Sequence, residues 1–208
     1  SFDIHTGAID LLFPHHTNEI AQSEGATGKQ FVNYWLHGGF LTMKESKMSK
    51  SLGNIMTLPE LMKQGYLPAH YRYFCLQTHY RSSLQFSYEN LDAAKQAYER
   101  VKRKIIELKA TRHTGADKTK EYQTQFTTAL NNDINIPAAL QVFLKTLDDV
   151  SFDSKKRLQL LESFDEVLGL NIHEMKEEKV TVPKAVQALV QAREQARQTK
   201  QWAEADIL

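Results

Sequence analysis

The stretch LDAAKQAYERVKRKIIEL, residues 91–108, decides the fold of the second half of the chain. Leu91, Ala94, Tyr98, Val101, Ile105 and Leu108 recur at alternating spacings of three and four. That alternation follows the α-helical repeat and draws one apolar stripe along a long amphipathic helix. Lys95, Glu99, Lys102 and Lys104 occupy its other face. Such a stripe must be buried against other elements, and the downstream sequence supplies them. A polar, glycine-containing loop over 113–120 leads to a second predicted helix at about 121–131. Pro137 opens a third, with Leu140, Phe143, Leu144 and Leu147 on one side. Leu158, Leu161 and Leu168 mark a fourth, closed by Gly169. The segment 172–181 is charged and reads as loose, and Pro183 starts a last helix through Val186, Leu189 and Val190. No strand alternation follows residue 85, so residues 87–208 are predicted to form a helix bundle on short connections.

Upstream the character is mixed. Phe2-Asp-Ile-His5 reads as a strand end, and Ile9 to Phe13 is apolar up to Pro14, which suits the first turn of a helix. That helix is placed at 15–24, with Gly25 and Gly28 breaking it. The apolar run 31–36 fits a short helix or a strand equally well. Residues 40–43 read as a strand, and Thr57-Leu-Pro-Glu60 as a capped helix start ended by Gly65. A further aromatic-rich helix is expected over 69–79. With 208 residues the chain has room for one large domain or two small ones. Its single cysteine, Cys75, excludes an internal disulfide framework, fits a reducing cytoplasm and reads as a buried core thiol. A net charge of +1 sets up no global positive field, and no apolar run is long enough to cross a bilayer.

Two short stretches carry chemistry. In Phe13-Pro-His-His-Thr-Asn-Glu-Ile20, His15 and Glu19 stand four apart. On a helix they share a face one turn apart, where they can form an ion pair or share a zinc ion, which accepts both ligand types. In Lys47-Met48-Ser49-Lys50-Ser51-Leu52-Gly53-Asn54, two lysines and two hydroxyls fall within five residues, followed by a glycine. Mobile ammonium groups and small hydroxyl donors are what phosphate oxygens bind, although a solvated basic turn has the same composition.

The string KMSKSLGN resembles the signature loop of class I aminoacyl-tRNA synthetases. Residues 2–24, with Tyr34-Trp-Leu-His-Gly-Gly-Phe40 after them, resemble the zinc-site segment of the cysteinyl-tRNA synthetase family. His79-Tyr80-Arg81-Ser82, Phe86-Ser87, the run 129–140, and the segments 192–197 and 202–206 continue the resemblance over essentially the whole chain. It implies an α/β then all-α fold. Residues 1–54 would end a Rossmann-type catalytic domain with its KMSKS loop. Residues 55–86 would connect like a stem-contact region, and 87–208 would form a tRNA-facing helical bundle. The implied activity is ATP-dependent activation of cysteine and its transfer to the 3′ end of tRNA, with zinc and ATP with Mg as cofactors.

Carried over residue by residue, the resemblance makes His15 and Glu19 two of four zinc ligands. The other two, cysteines, and an HIGH-type ATP motif would precede Ser1. The chain then reads as a fragment lacking the N-terminal part and the extreme C-terminus, inactive alone and weak in binding zinc. The resemblance assigns His5 and Asp10 to the substrate pocket or to orienting the ligands. It assigns Lys47 and Lys50 to catalysis, with Ser49, Lys50 and Ser51 on ATP. His16, next to a ligand, is read as structural. A soft thiolate binds zinc well and a hydroxyl poorly, so metal coordination would separate cysteine from serine. Thr6, Ala8 and Thr17 depart from the commonest family pattern, while Gly7 is kept. A monomeric cytoplasmic enzyme is expected, with tRNA, cysteine and ATP as partners and no membrane. The alternatives are a tRNA-independent ligase joining cysteine to an amino sugar, and a non-catalytic RNA-binding module.

Overall fold

The computed structural model describes residues 2–43, 57–177, 184–199, 201, 202 and 206. Its contacts divide the chain into two units, Ser1–Met175 and Lys176–Leu208.

The first unit begins with a strand–helix–strand crossover. Strand β1 (Phe2–Ala8) pairs in parallel with β2 (Val32–Gly38), in a register that sets His5 beside Trp35 and Gly7 beside His37. Parallel neighbours cannot be joined by a tight turn. The connection here is a 3-10 turn (Ile9–Leu11), a wider π-type turn (Leu12–His16) and helix α1 (Thr17–Thr27). The helix expected at 15–24 thus starts two residues later and runs through Gly25. Gly28, at φ +63, ends it by donating its N–H to the Glu24 carbonyl at 2.8 Å. A glycine within a helix costs about 1 kcal/mol, which packing tolerates, whereas a left-handed C-cap selects for it. The ambiguous run 31–36 resolves as β2, because pairing with β1 satisfies its backbone and buries Val32.

A second parallel pair joins β3 (Leu41–Met43) to β4 (Leu84–Phe86), with Leu41 opposite Leu84. Three residues are too few for periodicity, so β4 left no signal in the sequence. Between them, α2 (Leu58–Lys63) opens on the predicted Thr57 cap, whose N–H donates to the Glu60 carboxylate at 2.7 Å. Helix α3 (Pro68–Leu76) is shorter than the 69–79 expected.

The bundle follows: α4 (Tyr88–Ala110), α5 (Thr119–Asn131), α6 (Ile136–Asp148) and α7 (Ser154–Leu168). All six stripe residues of α4 are buried, each at 6% exposure or less. They pack with Phe143, Phe152, Leu161 and Leu168, all fully buried, in one core that reaches Phe74 and Phe86. Phe126 and Phe164 stack at 4.0 Å. Side chains also tie down the ends. Arg72 donates Nε to the Leu168 carbonyl at 2.5 Å, and Lys109 Nζ donates to the carbonyls of Ile172, His173 and Met175 at 2.7–2.9 Å. Buried Asp165 accepts the N–H groups of Leu170 at 2.6 Å and Ile172 at 2.9 Å. Cys75, expected in the core, is half-buried at its edge, and burial pushes its thiol up.

In the second unit α8 (Lys184–Gln198) takes the place of the predicted last helix. No helix among the described residues is long and apolar enough to cross a membrane.

Candidate functional site

The β1–α1–β2 crossover gathers histidines. His5 on β1 points to the side from which α1 begins, and its Nε2 lies 3.1 Å from Glu19 Oε2 in the first turn of that helix. The His16 ring meets that of His5 edge-on at 4.8 Å, and its Nδ1 lies 2.8 Å from Nε2 of His37 on β2. Trp35 walls the group, 4.8 Å from His5 and 4.9 Å from His16. The room for His16 comes from Gly7: a Cβ there would sit 2.6 Å from His16 Cε1. A side chain at Gly7 would collide with His16, whereas its neighbours Thr6 and Ala8 carry side chains.

His5, His16 and Glu19 bring one ligand atom each within 4.8 Å of one another. Although Glu19 Oε2 is within ion-pair distance of His5, the approach is not aligned for a hydrogen bond, and this buried oxygen has no hydrogen-bond partner. A buried carboxylate oxygen facing imidazoles without a donor is under-satisfied and suits a cation of the zinc type. Burial pushes the His16 imidazole below its ordinary value. The Glu19 charge works the other way, and His5, His37 and His15 reinforce the lowering.

Of the residues the sequence singled out, the structure brings together His5 and Glu19. His15 is exposed in the turn just before α1, one position from His16 and outside the group of three. Asp10 is exposed in the Ile9–Leu11 turn, also outside it. Lys47, Ser49, Lys50 and Ser51 lie outside the described residues. His16 and His37 join the cluster without having been read as chemical. Strand alternation with Gly7 opposite His37 was the available signal, but it needs the β1–β2 register to be seen. A cleft of about 670 Å³ elsewhere, lined by Lys104, His113, Leu147 and Arg157 of the bundle, contains none of this cluster.

Residues 1–96 match the family described as tRNA synthetases class I (C) catalytic domain. A solved structure of a LeuRS from Agrobacterium radiobacter K84, in a ternary complex with tRNA and LeuAMS, superposes with a TM-score of 0.59. It is 16% identical and covers 83% of this chain and 26% of its own, so it shares the fold. Over residues 1–96 the chain is therefore similar to the class I tRNA synthetase catalytic domain. Within that class its similarity is to cysteine–tRNA ligases. It is 42% identical to cysteine–tRNA ligase 1 of Burkholderia lata over 206 residues, which is 99% of this chain and 43% of the relative. The enzyme of Legionella pneumophila is 41% identical over 216 residues (99% and 46%), and that of Methanosarcina acetivorans 40% over 228 (100% and 47%). The chain thus spans less than half the length of the curated relatives it matches.

Proposed function

We propose that this chain serves a cysteine–tRNA ligase, which activates cysteine with ATP to the adenylate and transfers it to the 3′ end of its tRNA. The observation that carries the reading is identity of about 40% to cysteine–tRNA ligases along 99% or more of the chain, with the His5–His16–Glu19 cluster inside the class I catalytic match. In this reading residues 1–54 belong to a Rossmann-type catalytic domain, 55–86 connect, and 87–208 face tRNA. The family resemblance would make His15 and Glu19 zinc ligands, with Glu19 grouped here beside His5 and His16 and not beside His15. His5, 3.1 Å from the Glu19 carboxylate, orients it as outer-sphere partners do. Zinc, when bound, supplies a soft acceptor for the cysteine thiolate that a serine hydroxyl cannot satisfy. Asp10 helps place the amino acid.

Negative charge builds on the leaving pyrophosphate during activation, and Lys47 and Lys50 stabilise it, with Ser49 and Ser51 as hydroxyl donors and Mg on the nucleotide. Arg193, Arg197 and Lys200, at helical spacing, are offered to tRNA phosphates. In this reading the enzyme works as a cytoplasmic monomer. The test is cysteine-dependent pyrophosphate exchange by a chimera in which this chain replaces the matching stretch of the Burkholderia lata relative. Activity is expected, and Lys50→Ala should lower the exchange rate far more than cysteine affinity. An inactive but folded chimera, or an unchanged rate in the Lys50 variant, would contradict it.

A further inference from the structure

The turn between α5 and α6 places two successive non-glycine residues, Asp133 at φ +56 and Ile134 at φ +52, in the left-handed region. A β-branched residue there is an outlier, and such backbone persists only where its surroundings over-determine it. The surroundings here come from a distant segment. Asp133 accepts Tyr80 Oη–H at 2.7 Å and a two-pronged contact from Arg81, Nε at 2.5 Å and Nη2 at 3.0 Å. His79 Nε2 reaches the Asp133 carbonyl at 3.0 Å. Hydrogen bonds from Arg81 first, then Tyr80, hold the Asp133 carboxyl down at about 2. An isolated exposed ion pair contributes little, but three side chains converging on one strained residue make a fixed geometry.

The same segment grips the strands by its backbone. The Tyr80 carbonyl accepts the Gly39 N–H at 2.7 Å, and the Leu84 N–H donates to the Phe40 carbonyl at 2.8 Å. Contact is so close at Gly39 that a Cβ would lie 2.5 Å from the Ser82 backbone. Gly39 lies in the short link between β2, which carries His37, and β3, from whose end the chain runs on toward Lys47.

We propose that Asp133 is a positioning residue. Its latch on His79, Tyr80 and Arg81 fixes the Gly39 link, and so holds the histidine-bearing strand pair and the β3–β4 pair in one mutual placement. The consequence for activation rests on the ligase reading above; the mechanical coupling does not. Amide exchange of this chain, followed by mass spectrometry, tests the coupling. In Asp133→Ala, peptides over 38–43 and 84–86 should exchange at least tenfold faster, with peptides inside α4 within twofold of the unsubstituted chain. Asp133→Asn, which still accepts from Tyr80, should fall between. Acceleration confined to 79–82 and 130–136 would overturn the proposal. Should the alanine variant fail to fold, Arg81→Lys is judged on the same peptides, since lysine loses the two-pronged contact.

In the chimera, Asp133→Asn should lower kcat for pyrophosphate exchange at least fivefold while KM for cysteine stays within twofold. An unchanged kcat alongside accelerated amide exchange removes the positioning role. An inactive unsubstituted chimera would remove the ligase reading, and the latch would then be decided by amide exchange alone.

Discussion

Replacing Asp165 by alanine should destabilise the first unit by about 3 kcal/mol. Both N–H groups that Asp165 accepts belong to residues at 0% exposure, Leu170 and Ile172, and the carboxylate itself is 8% exposed. Water has no ready access to replace it, so alanine strands two buried donors. Each costs about 1–3 kcal/mol, and partial relaxation of the turn recovers some of that. The loss is amplified by what the turn supports. Tyr98 donates its hydroxyl to the Leu170 carbonyl at 3.1 Å, and Lys109 donates to the Ile172 carbonyl at 2.7 Å. With about 2–4 °C of Tm per kcal/mol in a chain of this size, the melting temperature followed by circular dichroism should fall by about 6–12 °C. Asp165→Asn keeps one acceptor but turns an amide N–H toward the other donor, so it should recover less than half of the loss. An alanine variant within about 1 kcal/mol of the unsubstituted chain in urea denaturation would refute the reasoning, because the turn would then be satisfied by other means.

His70 and the glycines give three further expectations. His70 is buried, accepts the Leu67 N–H on Nδ1 at 3.1 Å, and sets Nε2 3.1 Å from Glu99. Burial pushes its imidazole below the ordinary 6.5, against the Glu99 hydrogen bond and charge and with help from Lys95 and Lys102. The folded state therefore binds this proton less readily than the unfolded chain. The contribution is complete above the ordinary value and is lost as pH falls through the lowered one. Denaturation midpoints measured from about pH 7 down to pH 5 should fall, and His70→Gln should flatten that slope. Gly25 lies inside α1 with nothing within 4 Å of an added Cβ, so Gly25→Ala should stabilise by about 0.5–1 kcal/mol. Gly39→Ala meets the Ser82 backbone and should cost about 1–3 kcal/mol, both read from thermal melts.

What the sequence disclosed tracks how local each feature is. The α4 stripe from Leu91 to Leu108 was legible in full, because its period is a property of one segment and each position is buried as the pattern requires. The Thr57 cap was legible for the same reason. The length of α1 was misjudged because Gly25 and Gly28 look alike in sequence and differ only in the backbone angle each adopts. The undecided run 31–36 needed a partner strand 30 residues upstream, since Phe2 pairs with Val32. At the site, His5 and Glu19 were named, but their contact depends on where β1 sends α1. The inclusion of His16 depends on the absence of a side chain at Gly7, a cause that lies in a different residue from its effect.

The bond from Arg72 to the Leu168 carbonyl also constrains how the chain is made. It joins residues 96 apart, and the Lys109 contacts to the turn at 172–175 span 63 to 66 positions. Synthesis proceeds from the N-terminus at about 5–20 residues per second, so α3 and α4 wait several seconds before α7 exists to cover them. During that interval the apolar face of α4 has no complete partner inside the nascent chain. The first unit is thus a fold that closes late, when residues near 168–175 have left the ribosome, and until then the α4 stripe stays partly uncovered.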